Sequence, residues 1–307
     1  MTTRFGARFP ARPGRAVASF AAAAATAALV CSAAGLDARQ AIERRLYVSV
    51  VDDKGVPVTD LAVKDFVVRE DGAIREVLRV GRATDPMQIA VLIDDTQAAT
   101  PMILEERRAL QAFVKALHEG NEMALLTFGE RPGILVDYTV TLPALTAGVD
   151  KVFARPGAGS YLLQAIVETT KGIQKREAKR PVIVAITTEG QEFSNDYHVT
   201  VVEALQRSRA QFHAIVRSIG DGDQATDANR NRTFVLANGT ESTGGRREFV
   251  LADTALTPKL EELATELKSQ YLLVYARTQT LIPPTKLDVS VRRPGLTVRA
   301  GTRADLP

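Results

Sequence analysis

Two apolar patterns alternate along the middle of the chain. Short unbroken runs occur at "QIAVLID" (88–94), "EMALLTFG" (122–129) and "PVIVAITT" (181–188). Runs of that length predict strands buried on both faces. "FHAIVRSI" (212–219) predicts another strand, and "REFVL" (247–251) predicts the last of the series. "ILVDYTV" (134–140) alternates instead, which predicts an edge strand. Between the strands, apolar residues recur at helical spacing. Leu110, Phe113, Val114 and Leu117 follow Thr100-Pro101, where Thr is suited to cap a helix and Pro to its first turn. Leu162, Leu163, Ile166 and Ile173 predict a helix over 160–175, and another is expected over 199–209. Leu260, Leu263, Ala264 and Leu267 follow Thr257-Pro258 under the same cap logic. This order predicts an α/β, Rossmann-like, mostly parallel sheet with helices on both faces.

The ends of the chain read differently. In "RLYVSVVDDKGVPVTDLAVKDFVVREDGAIREVLRV" (45–80), Tyr47, Ser49 and Val51 alternate with Val48, Val50 and Asp52. "DDKG" marks a turn, and "DGA" between "FVVR" and "IREVLRV" marks a hairpin. A small β module is therefore expected over 45–82, with "GRATDP" (81–86) as a linker to an α/β domain over 86–268. "QYLLVYAR" (270–277) and "KLDVSVRR" (286–293) return to β pattern, so strands are expected over 269–301. Their apolar faces need covering, and pairing or packing with the N-terminal module would supply the cover. The polar "GDGDQATDANRNR" (220–232) reads as a loop.

Composition is ordinary for a globular protein, at 45% hydrophobic and 24% charged over 307 residues. The net charge of +3 misleads, because Arg4, Arg8, Arg12 and Arg15 stand in the first 35 residues without any acid. The remainder carries 35 basic and 36 acidic residues, which gives no support to a nucleic-acid partner. Those arginines precede "AVASFAAAAATAALVCSAAG", the pattern of an export signal over 1–35 cleaved after Ala34 or Gly35. No stable membrane span is then expected, and the product would be periplasmic or extracellular; an uncleaved anchor is the alternative. Cys31, the one cysteine, falls in this segment with the large Val30 before it, which argues against a lipid-bearing cysteine. The mature chain would lack disulfides, thiol catalysis and Cys-zinc sites.

In open α/β folds, ligands meet the carboxyl ends of the strands. Asp94, Asp95 and Thr96 stand at one such end, Glu189 at another, and Ser160 opens a helix on the same face. Each has a plain structural role: Ser160 as N-cap, Thr96 within the loop, the acids as solvated strand ends. A Ser160–His198–acid hydrolase is conceivable, but no G-x-S-x-G elbow supports it. His118 sits near a helix C-terminus, and His213 lies at the wrong edge of the sheet for the crevice. "DGDQATDANRNR" lacks a calcium loop's central glycine and carries Arg232 where a bidentate Glu is needed. There is no phosphate loop or dinucleotide fingerprint.

"VSVVDDKGVPVTDLAVKDFVVREDG", "VLIDDTQAA", "TESTGG" and "LATELKSQYLLVYA" together resemble the bacterial secreted family of von Willebrand factor type A-related proteins. The resemblance covers nearly all of the expected mature chain. It implies a type A domain, which often holds Mg²⁺ or Mn²⁺ in a metal-ion-dependent adhesion site. Such a site combines Asp-x-Ser-x-Ser, a Thr from a second loop and a later Asp. By resemblance Asp94 matches the first Asp, and Thr96 replaces the first Ser while keeping a hydroxyl. Ala98 replaces the second Ser and has no side-chain oxygen. Ser160 replaces the Thr, Gln164 stands where Asp is common, and Glu189 replaces the later Asp. The implied ligands are therefore Asp94, Thr96, Ser160 and Glu189. The implied function is exported, non-catalytic binding of a protein or cell-surface polymer through a partly degenerate site. The alternative is a structural or assembly component of the envelope with a vestigial site.

Overall fold

The computed structural model describes residues 41–218 and 226–305. The expected export signal with Cys31, and 220–225 of the expected loop, lie outside those residues. Four strands open the described chain: β1 (Ala41–Val51), β2 (Phe66–Glu70), β3 (Ala73–Arg75) and β4 (Val77–Arg82). The middle runs β5 (Gln88–Ile93), α1 (Ile103–Leu117), β6 (Glu122–Thr127), β7 (Gly133–Thr139), α2 (Leu142–Val149) and α3 (Leu162–Lys175). It continues through β8 (Pro181–Thr188), α4 (His198–Ser208), β9 (Gln211–Arg217), α5 (Asp227–Phe234), β10 (Arg247–Val250) and α6 (Leu256–Lys268). Three strands close it: β11 (Tyr271–Thr278), β12 (Leu287–Val291) and β13 (Thr297–Arg299).

The central sheet has the order β10-β9-β8-β5-β6-β7. It is parallel except at β7, which pairs antiparallel with β6 at one edge. The unbroken apolar runs now have a cause. Ile89, Val91 and Ile93 of β5 enter one core with α1 and α6, while Ala90 and Leu92 enter the opposite core with α3 and α4. A strand covered on both faces is apolar over most of its length.

Two expected caps are absent. α1 follows a 3₁₀ segment (Gln97–Met102) that already contains Pro101, and the Thr100 hydroxyl donates to Gln97 O at 2.7 Å. α6 likewise follows a 3₁₀ turn (Asp253–Ala255) and begins one residue ahead of Thr257. In both places the tighter turn supplies the entry to the helix, so Thr is not needed to cap it.

The end strands form two further sheets, β13-β1-β11-β4 and β12-β2-β3. Asp71 (φ 46°) and Gly72 (φ 83°) make the tight turn between β2 and β3. Val48, Phe66, Val68, Tyr271, Tyr275 and Leu287 share one apolar cluster between these sheets. Residues 81–86, expected to be a linker, are tied down instead. Ala83 N–H donates to Gln270 O at 2.8 Å. The buried Arg180 guanidinium donates to Ala83 O, Asp85 O, Leu267 O and Gln270 Oε1. Gln270 in turn donates to Ser49 Oγ and Gln211 Oε1. An unpaired backbone carbonyl in a buried joint is costly, and this one arginine satisfies three.

The glycines of "TESTGG" serve packing. A Cβ on Gly245 would stand 1.8 Å from Phe212 O, and Thr243 Oγ1 accepts from Phe212 N–H at 3.0 Å. The turn therefore locks α5's continuation onto β9, and no part of it reaches the carboxyl ends of the strands.

Candidate functional site at the strand ends

β5 ends by delivering Asp94 into a fully enclosed position. Its carboxylate has four donors. Oδ1 accepts from Thr96 N–H (3.0 Å) and Thr96 Oγ1 (2.6 Å); Oδ2 accepts from Thr188 N–H (2.7 Å) and Thr188 Oγ1 (2.8 Å). A carboxylate can be buried at that depth because each lone-pair direction has a donor. Asp95 points elsewhere. It accepts from Gly129 N–H at 2.6 Å and pairs with Arg155 at 2.8 Å. Burial nevertheless pushes its pKa above the ordinary aspartate value.

Ser160 is buried one residue ahead of the N-cap position of α3, which Tyr161 holds, and its Oγ accepts from Leu162 N–H at 3.4 Å. Its hydroxyl donates to Glu192 Oε2 at 2.7 Å. Glu192 Oε1 accepts from Ser194 N–H (3.2 Å) and Ser194 Oγ (2.5 Å), and its backbone N–H donates to Asn229 Oδ1 (2.8 Å). Burial raises the Glu192 pKa, opposed by the Ser194 and Ser160 hydrogen bonds and by the charge of Arg232. The structure thus brings Asp94 together with Thr96 and seats Ser160 on Glu192. Glu189 is directed elsewhere. Its carboxylate accepts from Ser218 Oγ at 2.7 Å, beyond the end of β9. Gln164 turns along its own helix to Glu168.

The last member comes from the segment expected to be a loop. Thr226 accepts from Asn229 N–H at 3.1 Å and caps α5, so 227–232 are helical. Asn229 and Arg232 are three residues apart and share the inward face. Arg232 is 3% exposed. One Nη1 donates to Gly190 O and to Thr188 O. Its neighbours in charge are Glu192, Asp94 and Glu189, in that order of effect, while burial pulls its pKa below the usual arginine value. Ala98 lies against the same strand exit: a Cβ built on Gly190 would stand 2.9 Å from the Ala98 Cβ.

A further buried acid lies behind the site. Glu106 of α1 is fully enclosed, and neither carboxyl oxygen has a hydrogen-bond partner. Burial, with the charges of Asp94 and Asp95, pushes its pKa well above the ordinary glutamate value.

Three further residues carry a sequence signal. Glu106 falls on the apolar stripe of α1 between Ile103 and Ala109. Glu192 stands three residues after Glu189 in "TTEGQE", and Arg232 closes the polar 220–232 segment. Which glutamate faces Ser160 depends on how the chain leaves β8, and periodicity does not report that.

The donor set falls short of the oxygen shell a divalent ion takes. Mg²⁺ needs near-octahedral oxygens. The Thr96 and Ser160 hydroxyls spend their protons on Asp94 and Glu192 and keep only their lone pairs for another partner, position 98 has no side-chain oxygen, and Glu189 Oε2 accepts from Ser218 Oγ. No three His, Cys, Asp or Glu residues among those described converge on a common point for a metal. Arg232 already places a positive charge among the acids. A second cation about 4 Å from it would be repelled by about 4 kcal/mol per unit charge at an effective dielectric constant near 20. Serine-hydrolase geometry is also absent. Ser160 engages Glu192, whereas His198 Nδ1 lies 2.6 Å from Asn231 Oδ1 and its ring packs on Phe234.

A parallel sheet with one antiparallel edge, covered by helices on both faces and ending in Asp94, defines a von Willebrand factor type A-like fold. No family model matches the chain, and no curated protein matches it. Solved structures do. The chain is similar to proximal thread matrix protein 1 from the mussel byssus, at 14% identity over 65% of this chain and 50% of that one, with a TM-score of 0.50. It is similar to a von Willebrand factor type A protein from Catenulispora acidiphila, at 10% identity over 86% of this chain and 74% of that one, TM-score 0.47. It also matches the vWF domain of the type V pili tip protein Mfa5 from Porphyromonas gingivalis, at 11% identity over 60% and 96%, TM-score 0.44. At these identities the likeness shows the fold alone.

Proposed function

We propose that this chain is an exported, non-catalytic binding domain whose ligand is a protein or a cell-surface polymer. The observation that carries this reading is an aromatic group beside the polar site. Phe193 is 45% exposed and Tyr197 72% exposed. The Phe193 ring lies on Gly159, where a Cβ would stand 2.1 Å from it, and stacks on Tyr161 at 6.2 Å. Exposed aromatics on a rigid base are the residues that carry binding energy in protein interfaces. The adjoining polar groups are saturated by one another, which suits positioning better than chemistry. Export rests on the N-terminal pattern, and no described helix is long and apolar enough to cross a membrane.

The test compares envelope material retained by the immobilised wild-type chain with that retained by Phe193→Ala/Tyr197→Ala. A component lost in this variant, but kept by an Ile134→Ala control on another exposed surface, supports the reading. Equal retention by both variants counts against it. Turnover of ester or peptide substrates that disappears in Ser160→Ala would falsify the non-catalytic part. The second reading, an envelope structural component with an inert crevice, draws on the same closed polar cluster and predicts that equal retention.

A further inference from the structure

We propose that Arg232 is the resident cation of the strand-end site: its guanidinium balances the charge of Asp94, Glu192 and Glu189, and the site is complete without a metal ion. The inference stands apart from the identity of any ligand, because it concerns what holds the site together.

Four observations converge on it. Arg232 is buried, on the same face of α5 as Asn229, which binds the backbone of Glu192. Its guanidinium joins Thr188 O and Gly190 O, on either side of Glu189, and so spans the exit of β8. Thr188 is also the residue whose N–H and hydroxyl hold Asp94 Oδ2. One helix face therefore ties a guanidinium to the strand turn that grips the first aspartate and, through Asn229, ties the backbone of the glutamate that grips Ser160. Finally, Ala98 presents a methyl group at this exit. A metal site would have to fill that position with water, whereas a site whose cation arrives on a side chain leaves it to a methyl group.

Arginine suits the task because it stays charged even where burial opposes it, and its planar fork donates in fixed directions. It differs from an ion in two ways. It cannot be removed by a chelator, and it leaves no open coordination position for a partner's carboxylate. Ligand binding to this chain should therefore require neither a divalent cation nor an acidic residue on the partner.

The experiment uses the full chain. After chelator treatment it is titrated calorimetrically with Mg²⁺ and with Mn²⁺ and melted with and without each. The expected result is no saturable heat and an unchanged melting point. Saturable binding that is lost in Asp94→Asn overturns the proposal. Independently, Arg232→Gln, Glu192→Gln and the double variant are compared by urea denaturation. Arg232→Gln should lower the midpoint markedly, and adding Glu192→Gln should recover part of that loss, because both charges then leave together. A double variant no more stable than Arg232→Gln alone overturns the charge-balance role. The criterion holds even if Arg232→Gln is unfolded, since the double variant must then regain a folding transition.

Discussion

The molecule buries an arginine at each end of its central sheet, and the two are held in different ways. Arg180, below the sheet, donates to three backbone carbonyls and one side-chain amide, and its guanidinium lies 5.1 Å from the ring centre of Tyr47. All four acceptors are neutral and Asp85 is the one carboxylate that acts on its charge, so it works mainly as a hydrogen-bond hub that joins the end strands to the α/β core. Arg232, above the sheet, has two carbonyls and the field of three carboxylates. It works through charge. The difference teaches that a buried guanidinium is not one kind of feature: neutral acceptors mark a structural joint, and surrounding carboxylates mark a site that requires a cation.

The largest expected effect lies in the joint. Arg180→Ala leaves several buried carbonyls without donors and should cost about 3–5 kcal/mol in urea denaturation. Insensitivity of that loss to salt would sharpen the contrast with Arg232, because neutral hydrogen bonds are screened little. A loss of under about 1 kcal/mol would break it.

Acid titration separates the two ends next, with opposite signs. His213 lies fully buried on β9 among Glu266, Arg246 and Arg299, and neither ring nitrogen has a partner. Burial pushes its pKa down from 6.5 to about 4. The folded state therefore prefers neutral histidine. Its contribution is whole above 6.5 and is lost as pH falls through about 4, a swing on the order of 3 kcal/mol. His213→Leu should lack that part of the acid sensitivity when stability is followed across this window. Glu106, at the other end, runs in reverse. Its folded pKa is raised above the ordinary 4.5, so its contribution is whole below 4.5 and is lost as pH rises through the folded value. Glu106→Gln should gain on the wild type as pH rises, and a gain at low pH instead would sink the assignment.

Ser160→Ala removes one of three donors to Glu192 and should cost about 1–3 kcal/mol, visible as a lower melting point. The smallest effect is expected from Ala98→Ser. It returns a hydroxyl to the position that resemblance marks as a ligand, yet with Arg232 present it should shift stability by less than about 0.5 kcal/mol. It should also leave Mg²⁺ titration flat. A strong new Mg²⁺ affinity would mean that the pocket geometry still favours an ion over the guanidinium.

The central strands and helices were legible because an element covered on both faces is apolar along its middle, as "IAVLI" and "PVIVAI" are. Helix entries were not: Thr100 and Thr257 have cap chemistry, but a 3₁₀ turn precedes each helix and removes the need for it. Asp94, Thr96 and Ser160 were placed at strand and helix ends by the sequence, and the structure has them there, buried. The site was not legible at Glu192 and Arg232, because each becomes part of the site only by crossing between elements that the sequence does not show to be neighbours.

Sequence by itself determined the layered α/β architecture, through apolar periodicity, and the positions of the polar strand ends. Tertiary structure alone decided how those ends are neutralised. The decision turned on α5, whose capped helix carries Asn229 and Arg232 from a polar segment onto the exit of β8. Charge neutralisation depends on distance in space and on burial, and neither is a property of residue order.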